Sequence, residues 1–177
     1  MTRIRLDTAG LTAAAIDLVD RRGFDELSLS AVASGLGVGP SALYTHVDGL
    51  SGLRELVASE ATRGLTHAVR NAAIGTSGDD ALRAVGHAYR DFAEMFPGRF
   101  LAMVNVAGTG AAISEARAEL DEVFQLIYLA RGVADAAPTS RNARGALHGF
   151  LVLHHTGGGP HTDDDFTALL DMLCAAR

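Results

Sequence analysis

The chain has 177 residues, room for one or two small domains with a sizeable buried core, and its apolar 48% is spread without any run of membrane-spanning length. The opening MTRIRLDTAG has two arginines but no apolar stretch behind them, so no secretory leader is expected, and a lone Cys174 rules out an internal disulfide and fits a reducing cytoplasm. Net charge is −6 and every cationic side chain is Arg, which argues against indiscriminate polyanion binding but leaves a local DNA face open.

The first element is an amphipathic helix. Leu11, Ala14, Ala15, Leu18 and Val19 recur at helical spacing, and Gly23 ends the helix behind Arg21 and Arg22. Phe24 and Leu27 read as a plug between helices, with Ser28 as the next N-cap; Ala31 stands where a capping box would need Glu or Gln. The run from Leu29 to Val47 then has the spacing of a helix-turn-helix. Ala33 is small enough for a close helix crossing, and Gly37 supplies a positive-φ turn. Leu43 drops back into the core, Val32, Leu36 and Val38 complete the seam, and Pro40 suits the first turn of the second helix. A short turn and a tight crossing are what such a motif needs to present its second helix to a major groove. An ordinary helical hairpin is the alternative on this segment alone.

Farther along, a linker helix is predicted from about Leu50 through Ala73, with Leu53, Leu56, Val57, Ala61 and Leu65 on its buried side. Gly75-Thr76-Ser77-Gly78 breaks it, and Asp79 and Asp80 open a helix reaching Phe96, which Pro97-Gly98 ends. Arg99 to Ala107 reads as a short helix, Ile113 to about Val133 as a long one, and Ala136-Ala137-Pro138-Thr139 as a turn. Arg141 to Thr156 and Asp163 to Ala175 are the last two helices, with no strand-like alternation anywhere.

Residues 7 to 57 resemble the DNA-binding domain of TetR-type transcriptional regulators, through Gly23-Phe24, the Leu29 to Val38 run and Ala42-Leu43-Tyr44-x-His46-Val47. Ala146 to Leu153, Gly157-Gly158 and Phe166 resemble that family's C-terminal domain with a Trp-His-Gly signature, although here Leu147 precedes His148-Gly149 and the chain has no Trp. The resemblance implies an all-α, homodimeric, ligand-responsive repressor. Its helix-turn-helix domain would cover residues 1–49, and a helical effector-binding and dimerisation domain residues 50–177.

On this reading the DNA contacts are Ser41, Tyr44, Thr45 and His46 from the second helix, Ser28 at a helix terminus, and Arg3 and Arg5 as an arm. Ala33, Gly37 and Leu43 shape the motif. Family members usually begin the fourth helix with a phosphate-contacting Lys; this chain has Leu50, which predicts a shallower salt dependence. The expected partners are double-stranded operator DNA, a second copy of the chain and a small apolar effector, with no membrane.

Phe92, Met95, Phe96, Phe100, Met103, Phe124 and Tyr128, with the polar handles Asn105, His87 and His148, read as ordinary core on the residues alone and as an effector pocket once the family resemblance is added. Leu147, Phe150, Leu151 and His154 on one helix and Phe166, Leu169, Leu170 and Leu173 on the next leave the last two helices too apolar for a single subunit, so they are assigned to the dimer interface. His154-His155, His161 and Asp163-Asp164-Asp165 do not make a metal site, because neighbouring helical residues point about 100° apart. No cofactor motif and no nucleophile arrangement is visible, so catalysis is not expected. Two rivals stay open: an interaction module of the same fold that has lost DNA binding, and a small helical enzyme using His148 or the His154-His155 pair.

Overall fold

The computed structural model describes residues 7–108, 110–158 and 162–176. Among these, eight α-helices and two 3-10 helices carry all the regular structure: α1 Thr8–Arg22, a 3-10 turn Phe24–Glu26, α2 Leu29–Leu36, a 3-10 helix Pro40–Thr45, α3 Gly49–Ala73, α4 Gly78–Met95, α5 Pro97–Asn105, α6 Ala111–Ala130, α7 Ala136–His155 and α8 Asp163–Ala175. No described helix is long and apolar enough to cross a membrane.

Two compact units emerge. The first joins residues 1–62 to 96–116, and the second joins 63–95 to 117–177. The expected boundary at 49/50 falls within the first unit, at the start of α3. The first half of α3 is needed to close the motif's core, and α5 packs on α1. Leu53, Val57 and Ala58 of α3, Ala102 and Val106 of the α5 region, and Ile113 of α6 join Leu11, Ala15, Val19, Phe24, Val32 and Leu43 in one buried cluster. Gly98 permits the α5 approach, because a Cβ there would stand 2.7 Å from the Val19 carbonyl oxygen.

The second unit packs α4 against α7 and α8, with Tyr89, Leu82, Phe124, Tyr128, Leu147 and Phe166 all buried. Gly86 of α4 meets Leu170 of α8 so closely that a Cβ would fall 2.4 Å from Leu170 Cδ2. The Tyr128 hydroxyl donates to the Leu173 carbonyl at 3.0 Å, so α6 is fastened to the end of α8.

Two turn expectations change. Pro97-Gly98 opens α5 instead of merely ending α4, since Pro needs no N–H partner in a first turn. Pro138 likewise falls within the first turn of α7, which starts at Ala136, five residues before the expected Arg141. α6 runs from Ala111 to Ala130, slightly earlier than predicted. Thr162 and Asp165 form a reciprocal capping box at α8, the Thr162 N–H donating to Asp165 Oδ2 at 2.8 Å and the Asp165 N–H to Thr162 Oγ1 at 3.2 Å.

Candidate nucleic-acid interface

The motif is built as its residue types require. Ser28 caps α2 by accepting the Ala31 N–H at 3.2 Å. Ala33 is wholly buried at the crossing. Gly37 adopts φ 69°, ψ 29°, the left-handed conformation that ends α2, and the Val38 N–H reaches back to the Ala33 carbonyl at 3.0 Å. Pro40 begins the second helix.

That second helix differs from expectation in its winding. Pro40–Thr45 is a 3-10 helix of six residues, longer than such helices usually run. Leu43 is the one buried residue of these six, so it carries the anchor alone. Leu43 is completely buried, while Ser41, Tyr44 and Thr45 are exposed on the same turns and His46 is half-buried. Tyr44 is 61% exposed, a large aromatic with no intramolecular reason to face water. The Thr45 hydroxyl donates to the Ala42 carbonyl at 2.9 Å, which leaves its oxygen as an acceptor and its methyl as an apolar contact. The His46 N–H closes the helix on the Leu43 carbonyl at 2.9 Å.

The cations nearby are partly neutralised. Arg21 pairs with Asp17 one turn earlier on α1, and Arg99 pairs with Asp20. Arg22 and Arg54 are exposed, Arg54 with its guanidinium 5.7 Å from the Phe24 ring centroid. Arg3 and Arg5, the expected arm, lie outside the described residues, as does His161.

The residues considered for an effector pocket divide between the two units. Phe96, Phe100, Met103 and Asn105 belong to the first unit; His87, Phe92, Met95, Phe124, Tyr128 and His148 belong to the second. Met95 is 70% exposed, whereas Phe100, Phe124 and Tyr128 are buried packing residues. His148 lies in a polar cluster of the second unit, where the Tyr89 hydroxyl meets its Nδ1 at 2.9 Å. Burial, followed by the charges of Arg144 and Arg117, lowers the His148 pKa to about 4, so the ring is neutral near pH 7. Burial also raises the Tyr89 pKa, so the phenol stays protonated. Arg144 is in turn tied to Asp121.

Of the residues expected at the dimer interface, Leu147, Leu151, Phe166, Leu170 and Leu173 are buried within the chain's own fold. Phe150 and Leu169 are half-buried and His154 exposed. Leu153, part of the apolar run read from the sequence, and Met172, not singled out there, are 47% and 58% exposed on the same two helices. Both stripes are apolar, and composition alone does not say which one faces inward.

Comparison with known proteins agrees with this architecture. Residues 11–47 match the family model described as bacterial regulatory proteins, tetR family, and residues 82–176 match the tetracyclin repressor-like C-terminal domain. The HTH-type transcriptional regulator Rv0681 of Mycobacterium tuberculosis is 31% identical over 97% of this chain and 81% of its own. YobS of Bacillus subtilis, another HTH-type transcriptional regulator, is 32% identical over 85% of this chain and 80% of its own. A solved protein of unknown function from Rhodococcus sp. RHA1 shares the fold at a TM-score of 0.77, with 23% identity over 94% of this chain and 93% of its own. The chain belongs to the tetR family of bacterial regulatory proteins and is a DNA-binding transcriptional regulator.

Proposed function

We propose that this regulator is a cytoplasmic repressor that binds a palindromic operator as a homodimer and releases it when a small, mostly apolar molecule binds the second unit. The observation that carries the DNA half of this reading is the contrast within Pro40–Thr45: Leu43 is fully buried, and the hydroxyl-bearing Ser41, Tyr44 and Thr45 point outward around it. A rigidly anchored short helix with an outward polar face is what base reading requires.

Tyr44 and His46 suit phosphate oxygens, and Ser41 and Thr45 suit base edges. Because the Thr45 proton is committed to Ala42, this side chain accepts from an exocyclic amine or packs on a thymine methyl. Ser28 is occupied as a cap, so its contribution is to fix the α2 terminus whose N–H groups face a phosphate.

The dimer reading rests on the exposed Leu153 and Met172 with half-buried Phe150 and Leu169 on α7 and α8. Large apolar side chains left exposed on these helices favour association. Footprinting across the DNA upstream of the chain's own gene, at low salt, tests the whole. Two protected half-sites about one or two helical turns apart, roughly 34 Å each, are expected. No protection with a folded dimer would leave the interaction-module reading in its place.

A further inference from the structure

The second unit contains a groove whose lining points to a ligand class. It has a volume of about 260 Å3 and lies between the end of α3, the turn into α4, and α6. Ala73, Ala81, Val123 and Ile127 form its apolar walls, with Leu126 and Ala130 at the edge. The alanines open the space, since a longer side chain at Ala73 or Ala81 would occupy it. Leu126 is 58% exposed, so the groove continues onto an uncovered apolar surface.

Its polar lining is unequal. Arg70 stands on the α3 side beside Ser77 and Gly78 at the start of α4, and Glu122 stands on the α6 wall. Neither Arg70 nor Glu122 has an ion-pair partner among the described residues. The Arg70 guanidinium and the Ser77 hydroxyl are the donors lining the α3–α4 corner; of the two carboxylates in the first turn of α4, Asp79 is held by Arg131 at 2.7 Å and Asp80 is exposed. Glu122 on the opposite wall disfavours a doubly charged head and leaves the corner as the place for one anionic group.

We propose that this groove binds a small amphiphilic monocarboxylate, its carboxylate on Arg70 at the α3–α4 corner and its apolar body along Val123, Leu126 and Ile127. The volume falls just below the drug-sized range that starts at about 300 Å3, so the occupant is of the size of octanoate. This deepens the effector reading by giving it a place and a chemistry, and it rests on that reading only for the consequence at DNA. It also moves the effector site away from the residues singled out in the sequence, none of which lines this groove.

The test is calorimetric titration of the full chain with octanoate, octanol and octylamine, alongside the variants R70Q and A130W. Arg70 is exposed and Ala130 lies at the groove's edge, so both variants are expected to fold, and circular dichroism checks this. Saturable octanoate binding is expected, weakened about tenfold by R70Q and abolished by A130W, with octanol weaker than octanoate. No octanoate binding, binding indifferent to both folded variants, or octylamine binding at least as tightly would overturn the proposal. A mobility shift with octanoate separates the two readings: unchanged DNA affinity despite Arg70-dependent binding would keep the site and remove its role as the switch.

Discussion

The Arg99 guanidinium holds the Asp20 carboxylate through two hydrogen bonds, Nε to Oδ1 at 2.8 Å and Nη2 to Oδ2 at 2.5 Å, and so fixes α5 to the end of α1. Both side chains are about three-quarters covered, which raises the strength of the pair above that of a solvated surface bridge. Next to it, Gly98 allows α5 to lie against the Val19 carbonyl. D20N should therefore cost about 1–2 kcal/mol, and G98A should cost at least as much because a methyl group would press on backbone. Thermal unfolding measures both, at about 2–4 °C per kcal/mol for a chain of this length. An unchanged midpoint in G98A would mean that α5 does not make this contact.

Gly37 and Ala33 shape the motif for different reasons, and their variants should behave differently. A Cβ at Gly37 meets nothing within 4 Å, so the cost there is the left-handed backbone itself. G37A should lose about 1 kcal/mol, G37N less, and the β-branched G37V more. Ala33 has no exposed surface, so A33L must push α2 off its neighbours and should remove operator binding. Operator titrations with all four variants check the ranking. An A33L protein with wild-type affinity would mean that the crossing tolerates movement.

Thr45 and Tyr44 should separate sequence preference from affinity. T45A removes the acceptor oxygen and the methyl, and should change base preference by about 1–3 kcal/mol at one position of each half-site. T45V keeps the methyl and loses the acceptor, so it tells thymine packing from amine recognition. Y44F should weaken all sites about equally, as loss of a phosphate contact does. Selection from a randomised operator pool reads both effects, and the reverse assignment would place Tyr44 on the bases.

His148 predicts an acid sensitivity of folding. Its pKa is about 4 in the fold against an ordinary value of 6.5, so between these values the unfolded chain binds a proton that the native chain does not. The stability contributed by the neutral ring is complete above pH 6.5 and is lost as pH falls toward 4. At pH 5 the loss should be about 2 kcal/mol. H148Q keeps an acceptor for the buried Tyr89 hydroxyl and should flatten this dependence, as urea unfolding at pH 7 and pH 5 would show. His155, also shifted down by burial and by His154, titrates in the same direction and sets the residual slope.

The helix-turn-helix was legible because its constraints are local. Gly37, Ser28, Pro40 and Leu43 each answer a backbone or cap requirement within a few residues, and the structure puts them in those roles. The tight winding of Pro40–Thr45 was not legible, because neither helix type leaves a distinct pattern over six residues. The inner and outer faces of α7 and α8 were confused for a related reason. Leu151 and Leu153, or Leu170 and Met172, are equally apolar, and tertiary packing such as Gly86 against Leu170 places Leu170 inward. Arg70 and Glu122 carry no sequence signal beyond charge; they gain meaning from the space that Ala73 and Ala81 leave between their helices.

That distinction between faces leads to the prediction for the dimer. Leu170 is 1% exposed and presses on Gly86, so L170E would bury an unpaired charge inside one subunit and should prevent folding of the second unit. Met172, two residues on, is 58% exposed, and Leu153 of α7 is 47% exposed. M172E and L153E should leave the helical signal and the unfolding midpoint of the isolated subunit nearly intact, since surface substitutions usually act within about 0.5 kcal/mol. In the dimer the same charges would be covered by a second copy, where an unpaired carboxylate is strongly disfavoured. Both variants should therefore sediment as folded monomers and lose operator affinity with Ser41, Tyr44 and Thr45 untouched, because a monomer reads one half-site. The double variant L153E/M172E sharpens the outcome. If it remains a dimer at low micromolar concentration, the exposed stripe of α7 and α8 is not where two copies meet.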